Sequence, residues 1–148
     1  MDQRIAALNA DYARCIDDDR LEEWPGFFLE RCLYKITTAE NIGKGYEAGL
    51  VYADSRAMLQ DRVSALRQAN IFERQRYRHI VGLPAAGGGG AIETPFLVVR
   101  IMRDGKMDLF ATGRYLDKVV EEGKDLKFAE RVVVCDSSRF DTLLAIPL

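Results

Sequence analysis

The chain has 148 residues, with 21 basic against 23 acidic side chains and 48% hydrophobic residues. That is the composition of one globular domain spanning the whole chain, large enough to hold a core without disulfides or a structural metal. A net charge of −2 argues against an electrostatic nucleic-acid binder and leaves association unopposed by self-repulsion. One histidine and three cysteines exclude more. A [2Fe–2S] centre held by two Cys and two His, or a mononuclear iron held by two His and a carboxylate, cannot be built from this chain's own residues.

Cys15, Cys32 and Cys135 lack the short spacing of a zinc site with His79 and make no disulfide framework, so a reducing cytoplasm is the expected compartment. The start, Met1-Asp2-Gln3-Arg4, leads into no apolar signal core, and no apolar run approaches the length of a membrane span.

In chain order, Ile5, Leu8, Tyr12, Cys15 and Ile16 recur at helical spacing behind Asp2 as N-cap. Asp17-Asp18-Asp19 interrupts the helix and reads as a solvated cap, because it lacks the alternating ligands and closing Glu of a calcium loop. Asp19 and Glu22 have capping-box spacing, so a second helix is expected there, with Leu21, Trp24 and Phe28 facing inward and Pro25 kinking it. From Cys32 the run Leu33-Tyr34-Lys35-Ile36-Thr37-Thr38 reads as strand. Asn41 to Gly49 is expected to be loop. Ser55 to Asn70 is the best helix, with Leu59, Val63 and Leu66 as its buried stripe, Met58 and Arg62 beside it, and Asn70 as terminator.

The rest is β. Arg74 to Leu83 alternates, placing Tyr77, His79, Val81 and Leu83 on one face and Arg76, Arg78 and Ile80 on the other. Gly87 to Gly90 is a connector and no phosphate cradle, since a strand follows it and no helix N-terminus does. Phe96 to Arg103 is apolar on both faces, the mark of a strand covered on both sides. Asp104-Gly105 turns into Lys106–Val120, Gly123 turns again into Leu126–Cys135, and a last strand is expected over Leu143–Leu148. Helices followed by a long antiparallel run give an α+β fold. With no helix after residue 70, the outer cover of the doubly apolar strand is expected to be another subunit.

His79 is the natural proton shuttle near neutral pH, and a pair with Asp61 or Asp54 would suit a small isomerase or dehydratase. Set against this is a histidine hydrogen-bonded within a core or interface. Arg74, Arg76 and Arg78 line one strand face, by default a solvated one; beside the doubly apolar strand they suit a protein interface better than a nucleic acid, which would need a broader basic surface with stacking aromatics. The cysteines fall at buried positions, where a small hydrophobe is expected.

Trp24-Pro25-Gly26-Phe27-Phe28 followed by Cys32-Leu33-Tyr34-Lys35-Ile36 resembles the helix-to-strand passage of NTF2-like proteins. That resemblance implies a cone, with N-terminal helices packed in a strongly curved, antiparallel to mixed sheet. More specific are Asp54 through Val63, Ala65-Leu66-Arg67, Tyr77-Arg78-His79-Ile80, Phe96 through Ile101, Gly113 through Asp117 and Glu130 through Asp136. Together they resemble the small (β) subunits of aromatic-ring-hydroxylating dioxygenases, nearest the branch acting on aromatic carboxylates. The resemblance covers nearly the whole chain.

It implies a chain that is a structural part of an oxidoreductase and holds no cofactor or metal. The partner large (α) subunit would carry a Rieske cluster and a mononuclear iron, in an assembly of three large and three small chains with β–β contacts. A reductase would supply electrons from NADH. No catalytic residue carries across; Asp61, Arg62, Arg76, Tyr77, Arg78 and His79 are assigned a structural or interface role. The rival readings are a free-standing NTF2-like isomerase or dehydratase using His79 with Asp61, and a homo-oligomeric scaffold.

Overall fold

The computed structural model describes residues 1–45, 49–69, 75–137 and 146–148. The first helix, α1 (Arg4–Asp17), buries Ile5, Asn9, Tyr12, Cys15, Ile16 and Asp17 along one stripe. Asp2 shapes its start, accepting from the backbone N–H of Arg4 at 2.9 Å. Asp19 ends the segment in the left-handed region, φ 60°.

The expected second α-helix is instead a 3-10 turn, Leu21–Phe27, with Pro25 inside it. The capping box does not form, because both carboxylates turn to a stronger donor. Arg67 donates to Asp19 at 2.9 and 3.0 Å and to Glu22 at 2.8 Å through each of two nitrogens. Leu21 and Trp24 still face inward. Phe28 is buried too, as the first residue of strand β1 (Phe28–Thr38) and not as part of a helix. That strand starts four residues before the expected Cys32, because a register shift between Arg31 and Tyr34 hides its alternation.

Thr38 caps a short helix, α2 (Ala39–Gly43), accepting from the N–H of Asn41 at 3.1 Å, where the sequence suggested only loop. Strand β2 (Val51–Ser55) then leads into α3 (Arg56–Gln68). Ser55 caps α3 through the N–H of Met58, Leu59 and Val63 are buried, and Leu66 packs against the core, as the spacing predicts. Asn70, Arg74 and residues 143–145 of the expected last strand lie outside the described residues, and 146–148 are not strand.

Among the described residues the sheet has seven strands in the order β2-β1-β7-β6-β5-β3, with β4 (Ala85–Ala86) on β5. Strand β3 (Gln75–Val81) forms one edge, β5 (Ile92–Met102), β6 (Met107–Glu122) and β7 (Asp125–Cys135) follow, and all of these pairs are antiparallel. Among the described strands only β1 on β7 is parallel, which makes the sheet mixed. The Gly87–Gly90 stretch is the tip joining β4 to its partner β5. Gly105, at φ 90°, allows the tight β5–β6 turn that Asp104 closes by accepting from the N–H of Lys106. Leu83 lies beyond β3 and is 83% exposed, so it does not share the inner face of Tyr77 and His79. No helix among the described residues is long and apolar enough to cross a membrane.

The core fills the concave side of the sheet with rings. Trp24 lies 5.1 Å from Tyr34 and 5.8 Å from Phe28, and Phe96 stacks on Tyr115 at 4.5 Å. Such edge and offset arrangements add to area burial. Gly113 lies close against β7, since a Cβ there would stand 2.0 Å from the carbonyl oxygen of Val134. Gly113→Ala is expected to destabilise the chain by about 3 kcal/mol, read as a lower thermal midpoint; an unchanged midpoint would contradict this packing.

Candidate functional site

The inside of the cone carries two buried polar clusters. In the first, Arg131 on β7 and Asp117 on β6 are register partners. The guanidinium donates from Nε to Oδ1 and from Nη2 to Oδ2, both at 2.8 Å, and both side chains are fully buried. Nη2 also donates to the side-chain oxygen of Asn9 on α1, whose Nδ2 donates to Thr94 Oγ1 on β5 at 3.3 Å. The guanidinium carbon lies 3.8 Å from the ring centre of Tyr115, 4.0 Å from Phe128 and 4.4 Å from Tyr12. Burial opposes the charge on Arg131, but the Asp117 carboxylate and its hydrogen bonds outweigh that and hold the group protonated beyond its usual range. Burial also pushes the Tyr115 and Tyr34 hydroxyls well up. None of these groups reaches solvent, so the cluster offers no reacting atom to a substrate.

The second cluster holds His79. Its Nδ1 lies 2.7 Å from Asp17 Oδ1, and its backbone N–H donates to Asp17 Oδ2 at 2.8 Å. One carboxylate thus holds both the ring and the backbone of His79. Because β3 is an edge strand, some of its N–H groups face no neighbouring strand, and Asp17 fills the place at His79. This overturns two expectations. Asp17 is a buried clamp and not part of a solvated cap, and the partner of His79 is neither Asp61 nor Asp54, both of which are exposed. Asp61 belongs to α3, which packs against β1 and β2, whereas α1 is the helix packed on β3.

A groove of about 1010 Å³ opens beside this cluster, lined by Asp17, Arg67, Gln75, Arg76, Tyr77 and Ile101 among others. His79 is not among its described lining residues, so the closed pocket with His79 on its wall that a proton-transfer enzyme would need is not what the described residues form. Arg62 is half-buried on α3. Arg76 and Arg78 are exposed on the outer side of β3, while Tyr77 and His79 are buried on the inner side. The six residues therefore do not form one cluster.

The outside of the sheet has a different character. Register places Ile80 beside Leu97, Val99 beside Leu109, and Ile101 beside Met107. Leu97, Val99 and Ile101 are half-buried, whereas Ile80, Met107 and Leu109 are 56%, 68% and 64% exposed. Arg78 lies beside Val99 and Arg76 beside Ile101, forming a cationic margin along the β3 edge. The strand read from sequence as covered on both sides is thus only partly covered on its outer face.

The donor sets of the described residues do not fit a Rieske cluster or a catalytic iron. No group of three or more His, Cys, Asp or Glu that could hold a metal occurs among the described residues. Burial pushes the Cys15 thiol up to about 11 and Cys135 to about 12, and raises Cys32, which disfavours the thiolate that metal binding requires.

These features define a filled α+β cone with an apolar, arginine-edged outer sheet, the form of a subunit that works through its surface. The family model for ring hydroxylating beta subunits matches residues 11–142, and the chain belongs to that family. It is 51% identical to the beta 1 subunit of the terminal oxygenase component of terephthalate 1,2-dioxygenase from Comamonas sp, over 98% of this chain and 97% of that one. It is 39% identical to the anthranilate 1,2-dioxygenase small subunit of Burkholderia cepacia, over 97% and 92% of the two chains. Among solved structures, a chain assigned as the beta subunit of an aromatic-ring-hydroxylating dioxygenase from Novosphingobium aromaticivorans superimposes with a TM-score of 0.85 at 36% identity, covering 97% of this chain and 94% of that one.

Sequence reasoning missed Asp17, Asn9 and Thr94, and gave Arg131 and Asp117 no role. The available signal was an arginine at an inward position of β7, two residues before the buried Val133. Two outcomes test this description. Arg131→Met is expected to lose about 3–5 kcal/mol because it strands the buried Asp117, while Arg131→Met with Asp117→Leu regains much of it; equal losses in chemical denaturation would contradict the pairing. At pH 8 the three thiols, being buried and protonated, are expected to resist iodoacetamide in the folded chain and to react fully in denaturant. Rapid labelling of the folded chain would contradict their placement.

Proposed function

We propose that this chain is the β subunit of the terminal oxygenase of a dioxygenase acting on an aromatic carboxylate, and that its own work is assembly. The observation that carries this is the outer face of β3, β5 and β6, where Ile80, Leu97, Val99, Ile101, Met107 and Leu109 adjoin under an arginine margin. A contiguous exposed apolar patch of this kind marks an interaction surface. A partner large (α) subunit holds the Rieske [2Fe–2S] cluster and the mononuclear iron. Three large and three small chains form the complex, with contacts between β subunits, in the bacterial cytoplasm.

The reaction belongs to the complex: both atoms of O₂ enter the ring, two electrons come from NADH through a reductase, and a cis-dihydrodiol forms. The dicarboxylate named in the Comamonas relative supports an aromatic dicarboxylate as substrate. The structural role assigned to Tyr77, His79, Asp61 and Arg62 goes with this reading, with Arg76 and Arg78 placed at the interface. A free-standing enzyme using His79 with Asp61 finds no support in the geometry, since Asp61 is exposed on α3 while His79 is buried on β3 against Asp17.

Co-expression with the neighbouring large subunit tests the proposal. The two chains are expected to copurify in equal amounts, and Leu109→Asp is expected to weaken assembly by at least about 30-fold while leaving the isolated chain's melting temperature within a few degrees. Independent purification of the two chains, with a large subunit fully active alone, would overturn it.

A further inference from the structure

Leu148, the last residue of the sequence, is 0% exposed and lies in the aromatic core although it belongs to no helix or strand. Its backbone polar groups find no partner in a ladder. Instead the carbonyl oxygen accepts from the Tyr12 hydroxyl at 2.8 Å and from the Tyr34 hydroxyl at 3.0 Å. Its N–H donates to the same Tyr34 oxygen at 3.2 Å. Tyr12 comes from α1 and Tyr34 from β1. Pro147 is buried beside it, and Ile146 packs against the core from a half-buried position.

This is how a ligand is held. Side chains from distant elements supply two donors and one acceptor to the backbone of a single residue, and an apolar wall receives its branched side chain. Trp24, 5.1 Å from Tyr34, forms part of that wall. Without the tail, two tyrosine hydroxyls would be buried with these partners removed, an arrangement that favours occupation.

We propose that the interior of the cone is a binding site whose resident ligand is the chain's own Ile146-Pro147-Leu148 segment. The chemistry it selects is a branched aliphatic group carried on an amide or carboxylate whose oxygen accepts two hydrogen bonds. The tail thereby closes the cone to small molecules, independently of how the outer sheet face assembles.

The test uses the full chain beside a variant lacking residues 146–148, with N-acetyl-Ile-Pro-Leu as the probe and N-acetyl-Ile-Pro-Asp as its control. The shortened chain is expected to melt about 5–15 °C lower. The leucine peptide should raise its melting temperature saturably, shift the emission of Trp24, the one tryptophan of the sequence, and leave the full chain unchanged. The aspartate peptide should do neither. In the shortened chain, Tyr34→Phe is expected to weaken the peptide about tenfold. If the shortened chain is unfolded alone, recovery of the Trp24 emission on refolding with the peptide supports the proposal. A shortened chain that melts like the parent overturns it. So does one that ignores millimolar peptide, whether it starts folded or unfolded.

Discussion

The fold is organised around a cation that water cannot reach. The Arg131 guanidinium is paired with Asp117 at 2.8 Å through two nitrogens and enclosed by the rings of Tyr12, Tyr115 and Phe128. An ion pair with both partners out of solvent gains stability only when its geometry is fully satisfied, so this one tolerates little displacement of its surroundings. Those surroundings are the whole cone. Asn9 and Tyr12 bring in α1, Asn9 passes the link to Thr94 on β5, and Tyr115 and Phe128 fix the facing sides of β6 and β7. The polar cluster therefore ties α1 to β5, β6 and β7 through directed bonds.

The same sheet is closed on one side and unfinished on the other. Inward residues of β3 and β5 end in hydrogen bonds and ring contacts: His79 with Asp17, Tyr77 with Phe110, Phe96 with Tyr115. Outward residues of the same strands end in exposed methyl groups and arginines. The inward face is satisfied by its own partners, while a partly covered apolar face is unsuited to solitude in water. Membership of the ring-hydroxylating beta-subunit family agrees with that division, because such a chain contributes a surface to a larger enzyme.

Local patterns in the sequence carry the elements well and the site poorly. Ser55 followed by Leu59, Val63 and Leu66 announces α3, and the alternation from Arg76 to Ile80 separates the two faces of β3 correctly, because each rests on neighbours within a few residues. The buried pairs rest on register instead. Counting outward from the Gly123 turn pairs Glu122 with Asp125 and Val119 with Phe128, which would set Asp117 against Glu130. A register shift after Lys118 moves Glu130 to Lys118 and brings Arg131 opposite Asp117. Nothing in the local pattern announces that extra residue. Asp17 and His79 are likewise 62 positions apart, so their meeting depends on how α1 crosses β3. The misplaced second helix has a related cause: Asp19 and Glu22 read as a cap until Arg67 of a later helix claims both.

Hydroxyl-radical footprinting of the chain, alone and in complex with its large subunit, tests most directly the claim that it acts through its outer sheet face. Met107 and Leu109 are 68% and 64% exposed, and both should oxidise readily in the free chain. In the complex, strong protection of Met107, Leu109 and Ile80 is the predicted result, with Met58 on the exposed side of α3 unchanged. Equal oxidation of the β3–β5–β6 face in both states, with protection confined to other surfaces, would contradict the account.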